Sequence, residues 1–296
     1  MDQYDIRELT PDGLDNACAL SAAAGWNQRI DDWRLLLALA PRGCFAAWSR
    51  DQVVGTAIGI DYGGFGWIAM MLVHPAHRSR GLGRRLLEAA VDAIPSDRLI
   101  RLDATPLGRP LYQSYGFVDE ARLTRFVAPA IAGRVVAAAE PGETSLGVRL
   151  LGRADLARVV DFDARVFGGN RQAVLEWALA AAPELSWILQ NDRDMPEYCF
   201  GRGGRLYTQI GPVVTIDDPG ARALVTAAIR AAPEHPIMVD AVDNYATFSD
   251  WLRTCGFEAV RPLFRMQRAP ADGSGARFTR RTSLPAERAV LGPELA

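Results

Sequence analysis

Residues 67–73 (WIAMMLV) form an unbroken apolar run, the pattern of a strand buried on both faces. His74-Pro75 ends the run and a basic turn follows, Arg78 to Gly83. Apolar residues then recur at Leu82, Leu86, Leu87, Ala90, Val91 and Ile94, which is helical spacing, until Pro95 stops it. The same patterning predicts strands over 4–9, 44–49, 52–60, 99–103 and 123–127, and helices over 14–24, 31–39 and 111–115. From residue 146 the order repeats. Strands are expected at 147–151, 186–190, 197–201, 205–214, 236–242 and 261–268, with helices at 154–165, 172–182, 221–231 and 246–254. The expected division is an N-terminal domain over 1–130, an Ala/Pro/Gly-rich linker over 131–145 and a C-terminal domain over 146–296. The tail to 283 reads as loop, and 288–295 as a returning edge strand.

At 296 residues the chain has room for two domains, and 49% hydrophobic with 23% charged residues is globular composition. A net charge of −2 gives no electrostatic footprint for nucleic acid or an anionic membrane. No apolar run reaches membrane-spanning length and the polar N-terminus is no signal peptide, so a cytoplasmic protein is expected. All 33 basic residues are arginine, which rules out lysine Schiff-base chemistry. Cys18, Cys44, Cys199 and Cys255 lack paired spacing and read as free thiols, and with three histidines no metal site is expected.

The turn between strand and helix is where chemistry concentrates. Backbone N–H groups of a glycine turn converge with the positive end of a helix dipole and can bind phosphate. Gly81 and Gly83 carry no side chain to hold a diphosphate away. Without lysine this is no Walker loop, and a dinucleotide fingerprint would need a third glycine. A tight turn with no ligand is the plain alternative. The run Val73-x-Pro75-x-x-Arg78-x-x-Gly81-x-Gly83, between strand and helix, closely resembles the acetyl-CoA pyrophosphate loop of the GNAT superfamily of N-acetyltransferases. The order of elements over the first half is similar to that of a GNAT domain. Residues 25–28 with 102–106, and in the second half 166–168, Arg171 and 292–295, resemble a bacterial tandem subfamily, the YitH-like proteins.

The resemblance implies an α/β protein with two GNAT folds in tandem, each a mixed, mostly antiparallel twisted sheet flanked by helices. It implies acetyl transfer from acetyl-CoA to a primary amine, here of a small molecule, by direct attack and without a metal. Met71, Leu72 and Val73 on the central strand, with Arg78, Ser79, Arg80, Gly81, Leu82, Gly83 and Arg84 at the turn, would hold the cofactor. Tyr112, four residues before Gly116-Phe117, stands where a GNAT tyrosine protonates the leaving thiolate. Trp26, Asn27, Gln28 and Tyr62 would line the acceptor site. Thr105 occupies the place of a common asparagine contact to the pantetheine arm, so that contact is not carried over. No carboxylate on 67–73 presents itself as general base. Asp61, Asp103 or Asp31 acting through water, or bulk solvent, would have to serve. In the second half, Asp217-Asp218 at the matching turn would repel a pyrophosphate, and Leu252 at the tyrosine position cannot donate a proton. That half is expected to be degenerate, shaping the acceptor pocket. Asp161, Asp163, Asp240 and Asp243 read as solvated acids that could face a cationic amine. The alternatives are an acetyl-CoA-binding regulatory protein without turnover, or an enzyme acting on protein lysines or N-termini. A monomer or homodimer is expected.

Overall fold

The computed structural model of the chain describes residues 4–129, 146–190, 195–232, 235–270 and 287–295. The linker expected at 131–145, and most of the tail, lie outside the described residues. The chain divides into two compact units that are not consecutive stretches of sequence. The first takes Met1–Asp103, Gly108–Val118 and Met266–Thr279, and the second takes Ala104–Leu107, Asp119–Arg265 and Arg280–Ala296.

The first unit opens with β1 (Asp5–Glu8), α1 (Leu14–Ala23) and α2 (Ile30–Leu39). The meander β2 (Cys44–Ser49), β3 (Gln52–Asp61) and β4 (Gly66–Val73) leads into α3 (Leu82–Asp92), β5 (Ile100–Ala104) and the short α4 (Arg109–Ser114). Strands β1 to β5 lie side by side in sequence order. The first four run antiparallel and β5 runs parallel to β4. Leu86, Leu87, Ala90 and Val91 bury the apolar stripe of α3 on this sheet. A Cβ on Gly59 would fall 2.0 Å from the Ala90 carbonyl oxygen, so only glycine lets the helix come this close to β3.

Two departures from regular pairing shape this sheet. The β3–β4 register shifts between Thr56 and Ile58, opposite Met70, whose φ of 49° is left-handed in a buried strand. The Thr56 hydroxyl donates to the Met70 carbonyl at 2.7 Å and fastens this bulge. Beyond it, β4 and β5 separate: they pair only at Gly66↔Ile100 and Trp67↔Arg101.

Strand β6 (Val118–Ala128) is built almost wholly into the second unit. There follow β7 (Val148–Leu150), α5 (Arg153–Phe167), α6 (Gln172–Ala181), β8 (Trp187–Leu189), β9 (Tyr198–Gly203) and β10 (Thr208–Val214). The unit continues with α7 (Asp218–Ala231), β11 (Ile237–Val242), α8 (Ala246–Thr254), β12 (Glu258–Arg268) and β13 (Glu287–Val290). Its strand order is β12-β6-β11-β13-β10-β9-β8-β7. The expected edge strand is therefore corrected: β13 lies inside the sheet, antiparallel to both β10 and β11. It wedges in because β10 and β11 pair directly only at Thr208↔Ile237 and Gln209↔Met238, leaving backbone donors and acceptors beyond.

The reading of Asp163 and Asp240 as solvated is also corrected, since both are buried. Arg125 holds Asp240 through two 2.7 Å bonds, with Gln209 Nε2 donating at 3.0 Å. Arg171 holds Asp163 through bonds of 2.9 and 2.8 Å, and the Tyr198 hydroxyl donates to the same carboxylate. Buried charge survives here because each carboxylate is paired and hydrogen-bonded.

Candidate active site

Three segments of the first unit converge: the open end of β4, the turn into α3, and α4. The turn leaves β4 through a 3-10 segment, Pro75–His77, and passes two left-handed residues, Ser79 (φ 60°) and Gly81 (φ 74°). Gly81 caps α3, and its carbonyl accepts the first intrahelical bond, from Arg85 N–H at 3.2 Å. The N–H groups of Leu82, Gly83 and Arg84 precede that bond and find no acceptor within the helix. Arg78 Nε donates to the Val73 carbonyl at 2.9 Å, drawing the turn back against the end of β4. Arg80 is exposed, and Arg84 pairs with Glu88 one helical turn on at 2.9 Å. Leu82 turns its side chain into the core, so only its backbone faces the turn. Met71 and Val73 are half-buried and Leu72 is buried.

Helix α4 abuts this turn. A Cβ on Gly83 would lie 3.6 Å from Leu111 Cδ2 and 3.7 Å from Val73 Cγ2. Tyr112 follows Leu111 and is buried, with its ring edge-on to Phe117 at 6.0 Å. Among the described residues its hydroxyl has no hydrogen-bond partner. Burial pushes its pKa above the ordinary phenol value, so it is a proton-bearing donor across the neutral range. Tyr115, in contrast, lies under the Arg268 guanidinium, 5.1 Å from the ring centre.

The candidate acceptor residues sit on two other segments. Asn27 and Gln28, in the α1–α2 connection, are buried, and among the described residues Gln28 Oε1 has no hydrogen-bond partner. Trp26 beside them is half-buried. Tyr62 is buried at the β3–β4 connection against Phe65. Of the carboxylates considered as bases, Asp61 accepts from Gly63 N–H at 2.8 Å and faces Arg98, and Asp31 pairs with Arg34. Among the described residues no group of histidine, cysteine, aspartate or glutamate could hold a metal ion.

In the second unit the matching helix start is already filled by protein carboxylates. Asp217 caps α7 by accepting from Gly220 N–H at 2.9 Å, and buried Glu197 accepts from Ile216 N–H at 2.9 Å. Asp218 pairs with Arg288 at 2.7 Å. Leu252 is buried in the apolar core.

Sequence reading missed the Met70 bulge and a polar cluster beside the turn. In that cluster the Tyr4 hydroxyl lies 3.1 Å from His77 Nδ1 and accepts from Arg80 at 3.3 Å. Residues so far apart in sequence leave no local signal.

Comparison with known proteins gives the same result for both halves. Residues 40–119 match a family model described as an acetyltransferase (GNAT) domain, and residues 159–275 match a second model of that description. Together the two matches cover more than half of the chain. The chain is 23% identical over 208 residues to the uncharacterized N-acetyltransferase YitH of Bacillus subtilis (strain 168), covering 69% of this chain and 71% of that protein. A putative acetyltransferase from Pyrococcus horikoshii shares the fold at TM-score 0.74 and 22% identity, over 99% of this chain and 96% of that one. A tandem GNAT protein from the clavulanic acid biosynthesis pathway aligns over 89% of this chain and 98% of its own, at TM-score 0.62 and 16% identity.

Proposed function

Because the chain belongs to the GNAT family of acetyltransferases, we propose that it moves the acetyl group of acetyl-CoA to a primary amine of a small molecule, with the cofactor bound by the first unit only. One contrast carries this reading. The first unit offers a gap between diverging β4 and β5 beside helix-start N–H groups free of intrahelical bonds. At the second unit's helix start, Asp217 already accepts from Gly220 N–H, and buried Glu197 accepts from Ile216 N–H in the turn just before it. A diphosphate is favoured at the first and opposed by fixed negative charge at the second.

Acetyl-CoA supplies an acyl carbon activated as a thioester. The protein's part is to hold it and to manage charge. Backbone groups of Met71 to Val73, past the bulge, line the gap in which the thioester would lie. The turn N–H groups, Arg78 and Arg80 meet the diphosphate. The amine nitrogen attacks the carbonyl carbon, the carbon–sulfur bond breaks, and the ammonium proton leaves to solvent or a bridging water. The thiolate leaves against the Tyr112 hydroxyl, the candidate general acid, and the net proton it gains is the one released by the ammonium, returned through solvent. With the Tyr112 pKa raised by burial, complete transfer to a thiol of pKa about 8.5 is uphill. The phenol therefore acts chiefly by donating a hydrogen bond as negative charge grows on sulfur.

A panel of small amines assayed with acetyl-CoA tests the reading. Tyr112→Phe should lower kcat at least tenfold while leaving the affinity for acetyl-CoA within twofold. Binding of acetyl-CoA with no turnover on any amine would favour a regulatory binder. Turnover on peptides alone would reassign the acceptor.

A further inference from the structure

We propose that Tyr4 is a positioning residue for the diphosphate-binding turn, holding Arg80 in its ligand-ready pose. The proposal rests on the cofactor site assigned above. Tyr4 precedes β1 and is separated from the turn by most of the first unit's sequence, yet it is buried. Its hydroxyl accepts from Arg80 Nη1 at 3.3 Å and lies 3.1 Å from His77 Nδ1. The oxygen accepts from Arg80, and in the His77 tautomer with its proton on Nε2 the phenol hydrogen donates to Nδ1. The Tyr4 ring meets His77 edge-on at 5.6 Å, and His77 meets His74 at 5.7 Å. His74 Nδ1 in turn accepts from Ala76 N–H at 3.3 Å. One phenol thus ties together the 3-10 segment that enters the turn and the cation within it.

The turn needs such a tie. Arg80 stands between two left-handed residues, and Ser79 at φ 60° has no glycine's freedom there. Arg80 is also exposed, and a long exposed side chain loses rotamer freedom when it clamps a phosphate. Holding it before the ligand arrives removes part of that cost from binding.

The test is a cycle of Tyr4→Phe, Arg80→Ala and the double variant, with acetyl-CoA affinity read by calorimetry. Phenylalanine keeps the ring packing against His77 and removes both hydroxyl bonds. Tyr4→Phe should weaken acetyl-CoA about fivefold and Arg80→Ala more than tenfold. The double variant should be no weaker than Arg80→Ala alone, because the tyrosine acts through the arginine. Melting temperatures without ligand should stay close to wild type for Tyr4→Phe. Wild-type affinity in Tyr4→Phe, or a full fivefold loss on top of Arg80→Ala, would overturn the proposal. Failure of the site assignment looks different: acetyl-CoA would then bind Gly83→Asp as it binds wild type.

Discussion

Gly83→Asp is the variant that most directly tests where acetyl-CoA binds. An added Cβ meets Leu111 and Val73 only at ordinary contact distances of 3.6 and 3.7 Å, and the position is not left-handed. Replacing glycine inside a helix gains roughly 0.5–1 kcal/mol with alanine. Aspartate keeps less of that gain but recovers roughly 0.3–1 kcal/mol as an anion in the first turn. The unliganded variant should therefore melt at or slightly above the wild-type temperature. Toward a diphosphate the carboxylate acts in the opposite sense. At roughly 5 Å and an effective dielectric constant of about 20 it costs about 3 kcal/mol per phosphate charge, more than a hundredfold in affinity. Wild type at a hundred times its dissociation constant should gain roughly 2.7 kcal/mol, or about 5–10 °C. The assay is thermal melting with acetyl-CoA and CoA, on wild type, Gly83→Ala and Gly83→Asp. Alanine should keep the ligand shift, and aspartate should lose it while staying folded. An aspartate variant that melts like wild type and still gains the full shift would refute the placement of the diphosphate at this turn.

Other expectations concern the scaffold. Thr56→Val leaves the Met70 carbonyl without its buried donor and should cost about 1–3 kcal/mol in urea unfolding, whereas an unchanged midpoint would mean the bulge holds itself. Arg125→Ala abandons buried Asp240 and should cost about 3–5 kcal/mol, most of it recovered by Arg125→Met with Asp240→Leu. Alkaline pH should destabilise the fold. Burial pushes the Cys44 thiol up to about 12 and raises that of Cys199 further, against about 8.5 in the unfolded chain. The folded state keeps protons that the unfolded state releases, so stability complete below about pH 8.5 falls by about 1.4 kcal/mol per pH unit for each thiol above it. A flat urea midpoint between pH 8 and 10 would contradict this, and Cys44→Ala should flatten the slope.

What the sequence disclosed followed its local rhythms. The helix after the glycine turn was legible because six apolar positions recur at helical spacing before Pro95, and β4 because nothing polar interrupts it. α7 begins three residues before its apolar pattern does, since Asp217 caps a helix that opens at Asp218-Pro219. Features made by distant partners were not legible. Nothing near Asp240 announces Arg125, more than a hundred residues earlier, so an aspartate that closes a buried ion pair reads as a solvated one. The apolar 288–295 stretch showed that it would be covered, without showing that β10 and β11 part to admit it. The bulge at Met70 has no turn-forming residue and owes its geometry to a hydroxyl on the neighbouring strand.

The exchange of strand segments between the two units also bears on biosynthesis. Residues 119–128 leave the ribosome early, yet Leu123, Phe126 and Ala128 are buried in clusters whose other members come mostly from residues beyond 180. Met266 to Arg268 belong to the first unit, with Arg268 over the Tyr115 and Phe117 rings, but are made only after most of the second unit. At 5–20 residues per second the first unit waits on the order of ten seconds for its closing segment. Through that interval β6 stands without its strand partners, with Leu123, Phe126 and Ala128 uncovered and its backbone edges open to wrong pairing. A fragment ending near residue 130 would make that interval permanent, and its expected fate is aggregation rather than a working half-enzyme.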